Sequence, residues 1–142
     1  MQGPLFVDTW GWVALGHRQD QHHQRVRSIF QNIRQEGSLI YTSDYVLDEV
    51  ITLLYRREVP SEASRFVEAI LGSAQLGHLV IERITSPRFA AACALRQRLL
   101  DKPFISFTDL TSFVVMQELH VSTALTQDQH FAQVGLGFQL LP

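Results

Sequence analysis

The sequence predicts an α/β sandwich, a fold in which helices cover both faces of a central, mostly parallel sheet of about five strands. Short apolar runs recur along the chain and helical segments separate them, which is the pattern of parallel strands joined by crossover helices. Hydrophobic residues make up 46% of the 142 residues, enough for a core without disulfides. No internal repeat, low-complexity tract or linker is visible, so we expect a single domain over residues 1–142.

Apolar runs bounded by polar or turn-forming residues mark the predicted strands. Runs this short, without a helical period, are typical of strands buried on both faces of a sheet. The run from 79 to 84 is the clearest strand in the middle of the chain. The predicted strands are Leu5–Val7, Leu39–Thr42, Leu79–Ile84, Ser122–Leu125 and Phe138–Leu141.

Helical patterns occupy the segments between the strands. After Asp20, a candidate N-cap, the apolar residues at 26, 29, 30 and 33 lie on one helical face. Ser43 is the predicted N-cap of a later helix, and Pro60 lies in the first turn of another. Thr126 and Gln129 have the spacing of a capping box. The predicted helices are Thr9–Leu15, one ended by Glu36-Gly37, Asp44–Tyr55, one opened by Pro60, Pro87–Leu100 and one that contains Asp109.

The stretch Ser106–Phe113 places a carboxylate near the start of a helix, shortly after the helix breaker Pro103. Thr108 is the predicted N-cap, because its hydroxyl can accept a backbone N–H of the first turn. Asp109 then lies in that turn, where the helix dipole favours a negative charge. Taken alone, such an aspartate is typical of an ordinary helix N-terminus.

Composition and charge limit the possible functions. The formal net charge is −2, which argues against binding nucleic acid through bulk positive charge. The single cysteine, Cys93, cannot form an intramolecular disulfide, and its alanine-rich surroundings predict a buried, structural position in a helix. We see neither a signal peptide nor a run long enough to cross a bilayer, so a cytoplasmic protein is expected.

Four carboxylates are expected to meet at one edge of the sheet. Asp8 ends the first predicted strand and Asp128 follows the fourth, while Glu49 and Asp109 lie early in helices. Sites in such sheets form at the carboxyl ends of the strands. Clustered carboxylates repel one another unless a cation neutralises them, and oxygen ligands without cysteine favour Mg²⁺ or Mn²⁺. Two such ions about 4 Å apart can support cleavage of a phosphodiester, so the sequence indicates a nuclease.

Helical geometry selects Glu49 from the acids of its segment. At about 100° per residue, the apolar residues from 46 to 54 centre on one broad face. Asp44 and Asp48 fall on the opposite side, where solvated or capping roles are expected. Glu49 lies at the boundary of the apolar face, from which a side chain can reach a cleft.

Four motifs together resemble those of PIN-domain proteins, and most of all the VapC toxins of bacterial toxin–antitoxin systems. They occur in the family's order and rough spacing, and the similarity extends from near residue 4 to the C-terminus. The motifs are Phe6–Thr9, Thr42–Val50, Ser106–Phe113 and Leu125–Phe131.

The resemblance implies a metal-dependent endoribonuclease that uses Mg²⁺ or Mn²⁺, is commonly a homodimer and is inhibited by a VapB-type antitoxin. It places the family's acidic quartet, as catalytic residues and metal ligands, on Asp8, Glu49, Asp109 and Asp128. Thr108 matches the hydroxyl residue that usually precedes the third acid.

Two other functions remain open at this stage. A non-catalytic module of the same fold would bind RNA or a protein without cutting it. A phosphatase with Asp8 as nucleophile is disfavoured, because Trp10 occupies the position where such enzymes usually carry a second aspartate.

Several polar and aromatic residues have both a functional and a structural interpretation. A transition-metal site in the segment with His17, Asp20, His22 and His23 is disfavoured, since the spacing matches no familiar zinc pattern. His130 is predicted to be a surface residue at the start of a helix, with contact to the substrate or to a metal-bound water as the alternative. Trp10 and Trp12 are candidates for contacts with the bases of RNA. Candidates for contacts with its phosphates are the arginines Arg18, Arg56 and Arg57.

Overall fold

The computed structural model describes residues 3–142, in which short strands alternate with helices. The strands are β1 (Leu5–Val7), β2 (Ile40–Ser43), β3 (Val80–Glu82), β4 (Thr123–Leu125) and β5 (Gln139–Leu141). The helices are α1 (Thr9–Gly16), α2 (His23–Glu36), α3 (Asp44–Arg57), α4 (Pro60–Gln75), α5 (Ser86–Arg98), α6 (Phe107–Glu118) and α7 (His130–Gln133). The predicted domain boundary at residue 1 lies outside the described part.

All five strands are parallel and form one sheet in the order β3-β2-β1-β4-β5. The first strand lies at the centre, with Leu5 opposite Ile40 on one side and Thr123 on the other. The predicted α/β sandwich is therefore confirmed. Because the strands are parallel, their carboxyl ends share one edge, and the residues after β1 and β4 become neighbours there.

The core lies on both sides of β1, whose three residues are completely or almost completely buried. Phe113 of α6 and Phe131 of α7 are also fully buried, and their rings meet edge to face with centroids 4.8 Å apart. This aromatic pair holds α7 against α6. It matters for function because both helices carry polar residues at the edge described below.

Strand β3 is shorter than its apolar run, and β2 is shifted by one residue from the predicted Leu39–Thr42. Leu39 precedes β2 and is exposed. Ile84 follows β3, and its N–H donates to Oδ1 of Asp44 (3.0 Å) rather than to a neighbouring strand. The same oxygen accepts the N–H of Tyr45 (2.9 Å), so Asp44 ties the start of α3 to the chain after β3.

Cys93 is exposed on α5, so its predicted burial is wrong. The inward face of this helix is formed by Ala92 and Leu95. The faces of an alanine-rich helix differ little in hydrophobicity. The elements that contact such a helix therefore decide which of its faces turns toward the core. No helix among residues 3–142 combines the length and the apolar character needed to cross a membrane.

Candidate active site

Asp8 lies where β1 ends and α1 begins, and it is 5% exposed. Its backbone oxygen accepts the N–H of Gly11 (3.0 Å), which turns the chain sharply into α1. Gly11 also permits close approach of α1 to β4, since a Cβ at this position would lie only 2.9 Å from the backbone oxygen of Leu125. The carboxylate of Asp8 is thereby held beside the residues that follow β4.

Thr126 joins two of the predicted acids. Its hydroxyl, completely buried, donates to Oδ2 of Asp8 (2.8 Å) and accepts the backbone N–H of Asp128 (3.0 Å). The predicted capping box with Gln129 does not form, because α7 begins only at His130. Thr126 was not predicted as a site residue, since its partner Asp8 is 118 positions away in the sequence.

Glu49 of α3 is half-buried and lines the same cleft as Asp8. Its Oε2 lies 3.5 Å from the hydroxyl of Thr9, at the limit of a hydrogen bond. Asp48 is exposed and outside the cleft. Helical geometry therefore selected the acid that the structure brings to this edge.

Asp109 lies in the first turn of α6 and is 6% exposed. The N-cap of α6 is Ser106, whose hydroxyl accepts the N–H of Asp109 at 3.0 Å. The predicted N-cap, Thr108, is wrong, because the helix starts at Phe107 and Thr108 already lies inside it. Thr108 also lies outside the cleft, and its backbone oxygen accepts the hydroxyl of Thr111.

Asp128 and His130 complete the cluster from the start of α7. Nδ1 of His130 lies 3.1 Å from Oδ1 of Asp128 and 3.7 Å from Oδ2 of Asp109. This nitrogen is buried but forms no hydrogen bond of acceptable geometry. One ligand atom each from Asp109, Asp128 and His130 lie within 4.8 Å of one another.

His130 starts α7, as predicted, but its ring is half-buried and turned toward the acids, which favours the alternative over a surface position. The next residue, Phe131, is fully buried against Phe113 and sets the orientation of this turn. The signal in the sequence for this position of His130 was its place between an aspartate and an apolar aromatic residue.

Burial and mutual repulsion dominate the electrostatics of the site. Burial raises the pKa of Asp8 to about 6, although hydrogen bonds from the Thr126 hydroxyl and the Thr9 N–H act to lower it. The negative charges of Asp128 and Glu49 raise this pKa as well. Burial also raises the pKa of Asp109 far above its usual value. The charge of Asp8 is the next largest cause of this rise, and Asp128 comes after it. Within residues 3–142, no arginine or lysine forms an ion pair with these carboxylates.

An open cleft of about 560 Å³ surrounds the cluster. It contains acids from five separate parts of the chain, the fifth being Asp20, together with apolar, aromatic and polar residues and one arginine. The lining residues used below are Asp8, Trp10, Glu49, Arg57, Phe104, Ser106, Asp109, Gln127, Asp128 and His130.

The model of the PIN domain family matches residues 5–136 of this sequence. The chain belongs to the PIN domain family. The resemblance that the four sequence motifs indicated is thereby confirmed, and the matched region includes each of the predicted acids.

Curated relatives of this PIN domain are VapC proteins. It is 29% identical over 132 residues to a 23S rRNA-specific endonuclease, VapC20, of Mycobacterium tuberculosis, covering 92% of this chain and 94% of the relative. It is 25% identical to a VapC ribonuclease of Archaeoglobus fulgidus, covering 92% and 81%, respectively. The crystal structure of M. tuberculosis VapC20, described as a sarcin-ricin loop cleaving toxin, superposes with a TM-score of 0.76 at 29% identity, covering 92% of this chain and 95% of the other.

The donor atoms of this PIN domain suit a divalent cation, which PIN domains generally use. Carboxylate oxygens crowd a buried place without a neutralising side chain, and a buried imidazole nitrogen without a hydrogen bond faces them. Like charges held this close are stabilised by a cation.

The remaining candidates in this PIN domain separate into cleft and non-cleft residues. Arg57 lines the cleft, whereas Arg18 and Arg56 are exposed outside it. Trp10 also lines the cleft. Trp12 is a core residue whose Nε1 donates to the hydroxyl of Thr42 at 3.0 Å, so it is not available to stack on a base.

The histidines near α1 do not converge on a common point. His17 Nδ1 pairs with Glu58, and His23 Nδ1 lies 2.9 Å from the backbone oxygen of Ala14. The His22 N–H donates to Oδ1 of Asp20 (2.8 Å) and its ring contacts Trp10. Each has its own structural partner, and among residues 3–142 only the group at Asp109 has the spacing of a metal site.

Proposed function

We propose that this protein is the toxin of a VapC-type toxin–antitoxin pair and cleaves RNA as a metal-dependent endoribonuclease. The observation that carries the proposal is the convergence of the four predicted acids from separate parts of the chain in one cleft, where none of them forms an ion pair with arginine or lysine among the described residues. The names of the relatives, a 23S rRNA-specific endonuclease and a VapC ribonuclease, support RNA as the substrate. The proposed site of action is the cytoplasm.

The proposed metal ligands are the four carboxylates, with His130 as an additional nitrogen ligand. These carboxylates belong to Asp8, Glu49, Asp109 and Asp128, and the proposed ion is Mg²⁺ or Mn²⁺. When bound, such an ion lowers the pKa of water and stabilises negative charge that develops on the phosphate oxygens. An imidazole among oxygen ligands favours Mn²⁺ over Mg²⁺.

Residues of the chain orient this acidic group before the substrate binds. Thr126 holds Oδ2 of Asp8 and, through the Asp128 N–H, the segment that carries the fourth acid. Ser106 fixes the start of α6 and thus the position of Asp109. Arg57 is proposed to bind a phosphate beside the one that is cleaved, since it lines the cleft and its guanidinium can donate two hydrogen bonds to a phosphate.

The first RNA to test is the sarcin-ricin loop of 23S rRNA. The solved structure that matches this chain over 92% of its length is described as a toxin that cleaves this loop. A VapB-type antitoxin is the proposed inhibitory partner.

Metal titration tests the proposed site without knowledge of the RNA. Purified protein freed of antitoxin should bind Mn²⁺ by calorimetry, and the double variant Asp8→Asn/Asp109→Asn should not. Glu49→Gln should weaken binding, whereas Asp48→Asn, which removes an exposed charge from the next residue, should leave it unchanged. His130→Gln should weaken binding of Mn²⁺ more than binding of Mg²⁺.

Circular dichroism of each variant provides the folding control. A folded wild-type protein that binds no divalent metal, with or without RNA, would contradict the proposed mechanism and favour a non-catalytic binding module. If the Asp48→Asn protein lost as much affinity as the Glu49→Gln protein, the assignment of Glu49 would be incorrect.

We also propose a homodimer, because large apolar side chains of α3 and α4 remain exposed in the single chain. Ile51 and Tyr55 of α3 and Leu71 of α4 are examples. Sedimentation velocity should give a dimer mass, and Ile51→Glu should shift the protein toward the monomer, since a charge would be buried in the interface. A wild-type protein that stays monomeric at high micromolar concentration would exclude this assembly.

A further inference from the structure

Phe104 is the most exposed large apolar side chain in the described part of the chain, with 87% of its surface accessible. It lies between α5 and α6 and lines the cleft that contains the acids. A phenyl ring held in water loses the free energy that burial would provide. Its position at the cleft indicates a ligand with an apolar face.

Hydrogen bonds and packing hold the Phe104 loop in place. The guanidinium of Arg96 donates to three backbone oxygens of this loop, those of Leu99, Lys102 (2.7 Å) and Ile105 (2.9 Å). The preceding residue is proline, which restricts φ, and the following Ile105 is buried. The backbone of Phe104 is therefore ordered before any ligand arrives, which lowers the entropic cost of binding.

The same segment connects Phe104 to the catalytic acids. Two residues after it, Ser106 caps α6 and fixes Asp109. Trp10, from α1, lines the cleft from a different element, two residues after Asp8. Two aromatic side chains thus accompany the acids on separate elements.

We propose that Phe104 stacks on an unpaired nucleobase of the RNA substrate beside the phosphate that is cleaved. The inference rests on the proposed ribonuclease function. A base is favoured over an apolar protein segment because the cleft around the ring also contains Arg57 and Gln127, which suit a phosphate and the edge of a base. Stacking on a nucleobase is tolerant of sequence, and it adds affinity without adding charge to a protein whose net charge is −2.

Binding of a defined RNA tests this subsite. The probe is a fluorescein-labelled RNA hairpin with the sarcin-ricin loop sequence, and all proteins carry Asp109→Asn with Mg²⁺ present so that the RNA remains intact. Phe104→Ala should raise Kd about tenfold, and Phe104→Trp should restore it. The dependence of log Kd on log salt should not change, because stacking displaces no counterions.

Two variants provide matched controls. Leu100→Ala removes a 72% exposed side chain from the same loop but outside the cleft, and it should not change Kd. Arg57→Gln should reduce the salt slope by roughly one, since it removes a phosphate contact.

The outcomes separate this inference from the proposed function. Equal Kd values for Phe104→Ala and its parent would overturn the base contact and assign the ring to a protein-binding surface. Equal losses in Phe104→Ala and Leu100→Ala would also overturn it, since they would indicate a general effect on the loop. If the parent bound no RNA, the proposed substrate and the subsite would fail together.

Discussion

The Asp109→Asn protein should lose RNA cleavage and, without metal at pH 8, should be more stable than the wild-type protein. Asp109 is almost fully buried, with its carboxylate close to those of Asp8 and Asp128, and no arginine or lysine among residues 3–142 forms an ion pair with it. Asparagine has a similar shape and does not titrate, so it removes the cost of burying this carboxyl beside two others, which the folded protein otherwise meets by keeping it protonated. Loss of a metal ligand should reduce the cleavage rate by at least about 100-fold, since even indirect ligand contacts are worth 10- to 100-fold.

Denaturant unfolding in EDTA measures the stabilisation. We expect Asp109→Asn to raise the free energy of unfolding by about 2 kcal/mol. This is less than the pKa shift of Asp109 implies, because the buried asparagine amide must find new hydrogen-bond partners. Asp101→Asn, which removes an exposed charge that pairs with Lys102 at the surface of the loop before α6, should not raise the stability. Reduced stability of metal-free Asp109→Asn at pH 8 would mean that its carboxylate is stabilised, not repelled, by its surroundings.

The metal-free protein should become less stable as the pH rises from about 4 to 7, and divalent metal should reverse this loss. The pKa of Asp8 in the folded protein, about 6, lies above its ordinary value of 3.8, so the folded state binds more protons between these values. Stability from this group is therefore fully present below the unfolded pKa and is lost as the pH rises through the folded pKa. For Asp8 alone, this loss amounts to about 3 kcal/mol at pH 8.

Thermal unfolding at several pH values, with EDTA and with Mn²⁺, measures this dependence. Protons compete with the metal, so the rise in Tm on adding Mn²⁺ should grow with pH. The Asp8→Asn/Asp109→Asn protein corrects for all other titrating groups, because it lacks the two carboxyls with raised pKa values. A difference between wild-type and double-variant Tm that does not change with pH would contradict this prediction.

Predictions from local patterns succeeded where one element alone sets the outcome. The alternation of apolar runs and helices predicted the parallel sheet, and helical geometry separated Glu49 from Asp48 without any knowledge of the fold. The hydroxyl of Ser43 accepts the N–H of Val46 at 3.1 Å, as predicted for an N-cap. In each case the relevant residues are close in sequence.

Predictions failed where the environment of a side chain depends on other elements. Thr108 and Ser106 are both hydroxyl residues near the start of α6, and only the extended backbone of Ser106 (φ −71°, ψ 158°) decides which of them caps the helix. Cys93 was assigned to the wrong face because α5 has no strongly apolar side. His130 was assigned to the surface because the burial of its neighbour Phe131 against Phe113 is a tertiary contact.

The sequence by itself determined the fold class and the family resemblance, and it predicted four of the acids that line the cleft, since these depend on local periodicity and on motifs in a fixed order. Only the tertiary structure decided which other side chains share their cleft. The hydrogen bond from Thr126 to Asp8 spans 118 positions, and the approach of His130 to Asp109 joins two helices. Such contacts depend on strand order and helix packing, which no local pattern encodes, and so the support of Asp8 by Thr126, the orientation of His130 toward the acids and the position of Phe104 at the cleft became evident only in the folded chain.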